Sequence, residues 1–531
     1  MRSLFARLHR RYGSKITGDE RQTFVTRQVD YQAKLLKAAR EANVAPLRAE
    51  ARPRVAIVGA GFAGLMAGYT LGRRFDVTIF EARDRVGGRV WSKTKSSGLV
   101  EAGGELIGYN HPLWLHLGRQ FELGFSANTS DTNFDALQLE MPLYLDGERI
   151  PKGQLEGLYD QMDKALAKMV RQARHINPKR PWQAYRAKKL DNMSVAEWID
   201  GLHCTKRVRL ALEQQFSNDG GRPCSLQSYL ANLAVVAGGA LPRHPAAFFT
   251  QSENLRCSSG NQSLADRLAE EIRKADGVIH MLSPVNAIHI DDDKVTIEAE
   301  GRSPEVADYV ILAIPPSLWP DSGRFARLQI TPELPRDYYV TMGSAVKYLS
   351  PLKGRFWIND GIAPTATSSS FGVTWEGTDN QIAAPGRDVE LSLFAGDRAA
   401  KRALRAWKTG GSQAVDAYYA AHIGKIYKEY TENLSQPPEF MAWPEDPWTG
   451  AGYSCLAPGE VCRAGPLLEK GFNKRMFFAG EHTCFAYMGY MEGALQSGKT
   501  AAVSVIAAVK REGRQRRAGR AKRSKRATSR R

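Results

Sequence analysis

A glycine-rich turn after an apolar run is the pattern in this sequence with the clearest chemical meaning. Gly59, Gly61 and Gly64 follow the apolar residues 55–58 in the order G-x-G-x-x-G. The first two glycines permit a tight strand-to-helix turn and a close approach of the backbone to a pyrophosphate, and the third lets the helix pack on the strand. Glu81 ends the next apolar run, at the spacing where an acid accepts hydrogen bonds from ribose hydroxyls. The sequence therefore predicts a dinucleotide site.

The segment after Glu81 indicates which dinucleotide is bound. Residues 83–90 contain a second glycine pair, Gly87 and Gly88, followed by Arg89. They could reach the same pyrophosphate from its other side, and a nicotinamide enzyme has no need for them. The pattern resembles the amine oxidase family of FAD enzymes, in which this glycine pair and arginine contact the cofactor.

Four further segments carry the same resemblance, and together the matches cover most of residues 52 to 510. They are residues 101–108, 260–264, where the family usually has two glycines, 477–483 and 489–498. The resemblance implies that FAD is bound by Gly59, Gly61, Ala63, Gly64, Glu81, Ala82, Arg83, Gly88, Arg89, Gly103, Gly104, Glu105, Val285, Trp443, Gly480, Glu481, Tyr490 and Met491. A valine in a strand is more often part of the core, so only the resemblance assigns Val285 to the adenine.

Lys347 matches the active-site lysine of the family. The Gly-Ser pair at 343–344 and the Phe-Trp pair at 356–357 both lie where the family has them. The family lysine hydrogen-bonds a water beside flavin N5, so the resemblance implies that Lys347 orients that water or helps to activate oxygen. By residue type alone, it could be a surface lysine on a strand.

Tyr453 and Tyr490 match the two tyrosines of the family's aromatic cage. Two ring faces beside the amine would exclude water, align its Cα–H bond with N5 and interact with charge developing on nitrogen. At Gly452 the mitochondrial monoamine oxidases have a cysteine joined covalently to the flavin. Because Cys455 and Cys484 would need a different geometry to reach the ring, we expect dissociable, non-covalent FAD.

The reaction implied by the resemblance is hydride transfer from the carbon bearing a neutral amine to flavin N5. The resulting imine is hydrolysed to an aldehyde or ketone plus ammonia, and molecular oxygen reoxidises the flavin to give hydrogen peroxide. The flavin does the redox chemistry, while the protein supplies orientation, desolvation and electrostatics. If the amine enters neutral, no separate strong base is needed.

Whether the substrate is an amine or an amino acid depends on an arginine. The L-amino acid oxidases of this superfamily hold the substrate carboxylate with an arginine shortly after the glycine-pair strand, where this chain has residues 105–108 and no arginine. That favours an amine without a carboxylate. Glu105 could pair with a second ammonium of a diamine or accept nearby backbone N–H groups. Arg222, Arg243 and Arg256 could substitute for the missing arginine, so L-amino acid oxidation stays the alternative.

Two other functional classes remain. The cofactor fold could be the scaffold of an interaction protein that acts through its basic ends, in which case truncation of residues 514–531 would abolish function and Lys347→Met would not. Flavin desaturases and protoporphyrinogen oxidase share the cofactor motifs but have no expected need for the tyrosine pair.

Composition limits the class of protein further. With 531 residues and 43% hydrophobic residues, we expect two or more domains with ample core. The six cysteines are scattered, so neither a metal site nor a disulfide framework is indicated, and a reducing compartment fits best. No apolar run approaches the ~20 residues of a membrane helix. Arg10-Arg11 is followed by no apolar region, so we expect no export and a cytoplasmic location.

The signatures predict an α/β fold in which a Rossmann-type FAD-binding domain is assembled from separated segments. These are residues 51–110, 255–318 and 443–511, while residues 111–254 and 319–442 form an inserted substrate-binding domain of mixed sheet and helices. Residues 1–50 form a basic helical extension, with Leu35, Leu36, Ala38 and Ala39 on the packed face of a helix from about 30 to 42.

The net charge of +18 is concentrated at the ends of the chain. Residues 512–531 are predicted to be a disordered basic tail that contacts anionic surfaces non-specifically, because no aromatic residue is interleaved for base stacking. The sequence leaves a homodimer open.

Overall fold

The computed structural model describes Phe5 and residues 16–42, 52–129, 131–241, 243–379, 381 and 387–528, with side chains up to residue 515. The strands are, in chain order, β1 (Arg54–Val58), β2 (Asp76–Phe80), β3 (Ser92–Lys95), β4 (Gly98–Glu101), β5 (Phe125–Ala127), β6 (Leu143–Leu145), β7 (Glu148–Arg149), β8 (Leu255–Cys257), β9 (Val278–His280), β10 (Val285–Ile290), β11 (Val295–Ala299), β12 (Glu305–Ala307), β13 (Tyr309–Leu312), β14 (Gln329–Thr331), β15 (Ala345–Leu352), β16 (Thr367–Ser368), β17 (Gly372–Glu376), β18 (Val389–Gly396), β19 (Glu439–Met441) and β20 (Met476–Phe478).

The helices connect and cover these strands. In chain order they are α1 (Gly18–Glu41), α2 (Phe62–Leu71), α3 (Pro112–Gln120), α4 (Asp131–Ala136), α5 (Lys152–Ala173), α6 (Ala187–Asn192), α7 (Val195–Asp200), α8 (Lys206–Gly220), α9 (Tyr229–Gly238), α10 (Phe248–Gln251), α11 (Gln262–Lys274), α12 (Asp397–Ile423), α13 (Glu460–Lys470) and α14 (Met491–Thr528). The helix α12 is kinked, because Gly410 and Gly411 have non-helical dihedral angles.

A five-stranded parallel sheet in the order β20-β13-β1-β2-β9 carries the glycine-rich turn. Its central strands are continuous apolar runs, as expected for a sheet covered on both faces, and Ile57, Ile79 and Ile311 are each 0% exposed. All five strands come from the three segments predicted to form the FAD-binding domain. The mixed α/β fold class is thereby confirmed.

A seven-stranded sheet in the order β19-β15-β18-β17-β16-β6-β7 forms the second large layer. Its strands all lie within residues 111–254 and 319–442. A four-stranded sheet, β12-β11-β10-β14, and two smaller pairs complete the strands of the described residues. The segments separate as expected between the two large sheets, but β14 pairs with β10 and β5 with β8, so these two ladders join the two sets of segments. The grouping into independent domains stays a prediction.

The N-terminal helix α1 begins at a capping box, in which the Thr17 side chain accepts the Glu20 N–H and the Glu20 side chain accepts the Thr17 N–H. It packs against α3 and is longer than the helix expected from about residue 30. Leu36 and Ala39 lie on its buried face, as predicted, whereas Leu35 and Ala38 are exposed. The buried residues Val25, Val29, Gln32, Leu36 and Ala39 recur every three or four positions, and Leu35 and Ala38 each lie about 100° around the helix from the residue of this stripe that follows them. The Arg10-Arg11 pair lies outside the described residues.

The C-terminal helix α14 begins beside the parallel sheet and continues to Thr528. The prediction of a disordered tail over residues 512–531 is therefore wrong for residues 512–528. Arginine, lysine and alanine have high helix propensity, and a helix that has already started extends through them at little cost. In the residues described, no helix is long and apolar enough to cross a membrane. Binding of the tail to anionic surfaces and a homodimer stay predictions.

Candidate active site

The glycine-rich turn places open backbone at the start of α2. Gly61 precedes the helix without any side chain that caps it. A Cβ on Gly61 would meet nothing closer than Gly87 O, 4.0 Å away, so this position is open to a ligand. A Cβ on Gly64 would lie 1.9 Å from Gly59 O, so the third glycine serves the packing of helix on strand.

The second glycine segment lies against the first. Gly88 has a φ of +60°, and a Cβ on it would approach Gly61 Cα to 3.3 Å. Gly103 is confined more tightly, because a Cβ there would lie 1.9 Å from Arg89 O. These backbones form a cradle that side chains would fill, which is the shape that a bound pyrophosphate and flavin edge need.

Glu81 lies at the end of β2, beside this cradle. Its carboxylate accepts the Ala60 N–H at 2.8 Å and the Arg83 N–H at 2.9 Å. Burial raises the pKa of Glu81, although these two hydrogen bonds oppose the rise. The position and the orientation of this acid fit a ribose of a dinucleotide.

One cavity of about 480 Å³ brings nearly all the predicted site residues together. Its lining includes Gly59, Gly61, Ala63, Glu81, Ala82, Arg83, Gly88, Arg89, Gly103, Gly104, Glu105, Val285, Lys347, Trp443, Tyr453, Gly480, Glu481, Tyr490 and Met491. Gly64 is the predicted residue that does not line it. The residues of one end of the cavity thus fit FAD, and those of the other end include both tyrosines and the lysine.

Arg89 and Glu481 connect the two ends of the chain at the cavity. Arg89 Nη1 donates to Glu481 Oε1 and to Gly452 O, each at 2.9 Å. Glu481 also accepts the Ser454 N–H at 3.0 Å and the Gly489 N–H at 2.8 Å. Burial acts to raise the pKa of the Glu481 carboxyl, but Arg89, His482 and the hydrogen bonds outweigh it, so the net pKa is lowered.

Lys347 lies on β15 and is 5% exposed. Its Nζ donates to Glu105 Oε2 at 2.7 Å, to Glu101 O at 2.6 Å and to Gly103 O at 3.3 Å. An ammonium has three hydrogens, so each has an acceptor. The lysine is therefore a buried, oriented cation at the flavin-edge segment, and not a surface lysine.

The neighbours of Lys347 come from one face of the seven-stranded sheet. Lys347 is paired across the ladder with Phe394 of β18, and Phe394 with Val373 of β17. Because side chains alternate along a strand, Ala345 and Trp375 share this face. All five line the cavity.

Glu105 is the centre of a buried charge network. Besides Lys347, it accepts hydrogen bonds from Arg256 Nη2 and, at 2.8 Å, from Trp375 Nε1. Glu105 and Arg256 are each 6% exposed. These side-chain partners hold Glu105 beside Lys347, while its pairing with a diamine ammonium or with backbone N–H groups stays a prediction.

The two tyrosines approach the cavity from different segments. Tyr453 stacks on Phe394 with ring centroids 6.4 Å apart and planes 14° from parallel, and its hydroxyl donates to Asp219 O. Tyr490 meets Phe248 edge to face at 6.1 Å and His111 at 5.2 Å. Gly489 lies against the Tyr453 ring, since a Cβ there would come within 3.2 Å of it.

Two carboxyl groups line the cavity near the tyrosines. Burial raises the pKa of Asp219 to about 7, with a contribution from Glu253 in the same direction, while a hydrogen bond from Gln215 at 2.7 Å opposes the rise. Burial also raises the pKa of Tyr490, and both carboxylates add to that rise. Asp219 and Glu253 therefore lie close enough to the tyrosines to act on charge there.

The three arginines considered as carboxylate ligands lie elsewhere. Arg256 is committed to Glu105 and to the carbonyls of Glu376 and Asp379. Arg222 donates to Cys455 O. None of Arg222, Arg243 and Arg256 lines the cavity.

The cysteines differ in their access to the cavity. Gly452 has no room for a side chain, because a Cβ would lie 2.6 Å from Ala345 Cβ. Cys455 lines the cavity, whereas Cys484 does not. Burial raises the pKa of each of these two thiols to about 12, so neither is a ready nucleophile.

Sequence reasoning missed several cavity residues: Phe5, Phe216, Asp219, Phe248, Phe249, Glu253, Trp375 and Phe394. For Phe394 the sequence holds a signal, because apolar and polar residues alternate over residues 389–393 as in a strand, and this alternation gives the face of Phe394. The others lie on helices and loops that only the tertiary fold brings together, and no motif marks them.

Comparison with known proteins gives the family. Residues 62–506 match the family model of flavin-containing amine oxidoreductases. The chain belongs to this family. It is therefore an enzyme that oxidises an amine with a flavin cofactor, FAD, as the sequence resemblance implied.

Relatives are found in both sequence and structure. The chain is 25% identical over 484 residues to the flavin-containing amine oxidase A of Canis lupus familiaris, which covers 86% of this chain and 85% of the relative. Its fold is similar to that of a putrescine oxidase bound to putrescine, with a TM-score of 0.72, 22% identity and coverage of 86% of this chain and 99% of the other. It is also similar to the cyclohexylamine oxidase of Brevibacterium oxydans IH-35A, with a TM-score of 0.71, 21% identity and coverage of 87% and 100%.

Proposed function

We propose that this enzyme oxidises a primary amine that carries no carboxylate, with dissociable FAD and with molecular oxygen as the acceptor. The observation that carries the proposal is the composition of one cavity. Lys347, Tyr453 and Tyr490 line it together with Asp219 and Glu253, whereas Arg222, Arg243 and Arg256, the arginines considered for a substrate carboxylate, lie outside it.

The cavity charges favour an ammonium over a carboxylate. Among its described lining residues the cations are Arg83, Arg89, Arg327 and Lys347. Three of them pair with acids: Arg83 with Asp446, Arg89 with Glu481 and Lys347 with Glu105. Arg327 lies in the segment with Phe325, whose ring is near Gly450, one residue beyond the Arg83 partner Thr449.

Asp219 and Glu253 would attract an amine to the tyrosine pair. A carboxylate in a partly desolvated cavity interacts strongly with an ammonium and repels a substrate carboxylate. The same carboxyls give the amine a site to leave its proton near the tyrosines, since a carboxyl with a pKa of about 7 exchanges protons readily near neutral pH.

The tyrosines orient and desolvate the amine. Tyr453 is fixed by its hydrogen bond to Asp219 O and by Phe394, and Tyr490 by Phe248 and His111. Rigid ring faces beside the nitrogen exclude water and stabilise developing positive charge. FAD, when bound, supplies the hydride acceptor, and hydrolysis of the product imine gives an aldehyde or ketone plus ammonia.

Lys347 would hold a water at the flavin edge. The bond from its Nζ to Gly103 O is the longest of the three, at 3.3 Å. This N–H can donate to a water instead of Gly103 O with little loss of hydrogen-bond energy, while the bonds to Glu105 and Glu101 keep the ammonium in place. The Glu105–Arg256 pair fixes this geometry from behind.

Dissociable FAD is supported by the surroundings of Gly452. The position matched to the covalently linked cysteine cannot accept a side chain without moving Ala345. The one cavity thiol among the described residues, Cys455, has a pKa raised by burial to about 12. We also propose the cytoplasmic location, because all six cysteines are free thiols, as in a reducing compartment.

Stopped-flow reduction of the anaerobic holoenzyme by a primary amine tests the roles of these residues. We expect Tyr490→Leu to reduce the flavin about tenfold more slowly, since it removes a cation–π contact of ~1–2 kcal/mol, and Tyr490→Phe to retain the rate. Tyr339→Leu is the matched control, because Tyr339 packs on Trp319 and does not line the cavity. Equal rates for Tyr490→Leu and the wild type would contradict the cage.

A further inference from the structure

Phe5 belongs to the N-terminal extension, yet it lies in the same cavity as the catalytic candidates. It is 4% exposed and is part of the largest hydrophobic core cluster of the described residues. Its ring lies 4.7 Å from that of Phe216 and 5.8 Å from that of Phe249, measured between centroids. All three rings line the cavity.

Contacts of Phe5 lead to both tyrosines. On one side Phe249 meets Phe248 at 5.3 Å, and Phe248 meets Tyr490. On the other side Phe216 lies on α8 one helical turn before Asp219, whose carbonyl accepts the Tyr453 hydroxyl. Phe5 therefore extends a row of ring contacts that begins at Tyr490 and ends at Phe216, on the helix whose backbone holds the Tyr453 hydroxyl.

This row of rings is apolar, in contrast to the carboxyl groups beside the tyrosines. A substrate whose amine lies between the tyrosines would direct its tail towards Phe216, Phe249 and Phe5. Phe216 and Phe249 lie on helices α8 and α10, whereas Phe5 precedes both by more than 200 residues in sequence.

We propose that Phe5 is a specificity-determining residue that closes the apolar end of the amine cavity and limits the length of the substrate's hydrocarbon tail. Phe5 is thus part of the substrate site. This inference rests on the proposed function, because it assumes that the amine binds between the tyrosines.

The test compares chain-length profiles of the holoenzyme and of Phe5→Ala. The profile is kcat/KM for straight-chain primary amines from propylamine to decylamine. We expect the optimum to move to longer amines in Phe5→Ala, with roughly a tenfold gain for each methylene that enters the vacated space, relative to the short amines. Phe5→Trp should move the optimum to shorter amines. These opposite shifts separate specificity from a loss of stability.

The control is Phe472→Ala, which removes another ring from the same core cluster but not from the cavity. It should lower flavin loading and kcat/KM uniformly along the series, as a purely structural effect would. A uniform change in Phe5→Ala, with the wild-type optimum retained, would overturn the proposal.

A second measurement separates this proposal from the proposed function. Binding of n-alkyltrimethylammonium ions is followed through the flavin absorbance, without turnover. If no amine reduces the flavin but Phe5→Ala still shifts the preferred alkyl length in binding, the proposed function fails and the role of Phe5 stands. If both series give the wild-type length preference in Phe5→Ala, the role of Phe5 is refuted.

Discussion

Glu105→Gln is the substitution that most directly tests the buried charge network. Glu105 lies between Lys347 and Arg256, and all three side chains are between 4% and 7% exposed. Glutamine keeps the size and one acceptor oxygen but removes the charge. Lys347 and Arg256 then lose the carboxylate that they share.

The expected cost follows from this burial. Removal of one partner of a buried ion pair costs about 3–5 kcal/mol, because the remaining charge stays desolvated and unpaired. Unfolding entropy is about 2.1 cal/mol/K per residue, so a chain of 531 residues unfolds with roughly 1.1 kcal/mol/K. The thermal midpoint of the holoenzyme should therefore fall by about 3–5 °C.

The assay is the rise in flavin fluorescence as the cofactor is released on heating. Glu439→Gln is the matched control, since Glu439 also pairs with two lysines, Lys93 and Lys95, but its side chain is 32% exposed. Its substitution should cost less than about 1 kcal/mol. If Glu105→Gln and Glu439→Gln have equal midpoints, the argument from buried charge is refuted.

Three further predictions concern the cavity and the cofactor. Burial raises the pKa of Asp219 to about 7, and Glu253 is the other carboxyl that faces the ligand. The dissociation constant of tetramethylammonium, measured by isothermal titration calorimetry, should therefore fall roughly tenfold or more as the pH rises through 7. Asp219→Asn should remove this pH dependence. Acid precipitation should release all flavin from the wild type into the supernatant, and flavin retained in the pellet would contradict dissociable FAD. The flavin of Gly452→Cys should also be extractable, while this variant should lose about 1–3 kcal/mol of stability because the new side chain collides with Ala345. Gly103→Ala should purify without FAD, measured by the absorbance ratio, because its Cβ would overlap Arg89 O.

The cofactor half of the site could be predicted from the sequence because its determinants are local. The apolar run, the glycine turn and Glu81 lie within one βαβ unit, and the strand and helix follow from periodicity and glycine geometry. The resemblance to a family located Lys347 and the tyrosines, which local pattern alone would have left as a surface lysine and as packing residues.

The substrate half could not be predicted in the same way. Asp219 and Phe5 enter the cavity through the packing of elements far apart in sequence, and neither lies in a motif. Arg256 was considered as a carboxylate ligand, and only the fold shows that Glu105 occupies it. The tail was expected to be disordered from its charge, whereas helix propensity and continuation from α14 determine its backbone.

The most direct test of the proposed function is anaerobic reduction of the flavin by matched pairs of substrates. Each amine is paired with the L-amino acid that has the same side chain plus a carboxylate: phenethylamine with phenylalanine, tryptamine with tryptophan, cadaverine with lysine. The cavity predicts bleaching of the flavin absorbance by at least one amine and by none of the matched amino acids. Bleaching by the amino acids alone would show that a cation near Tyr453 and Tyr490 holds a carboxylate, and would contradict the proposed amine substrate.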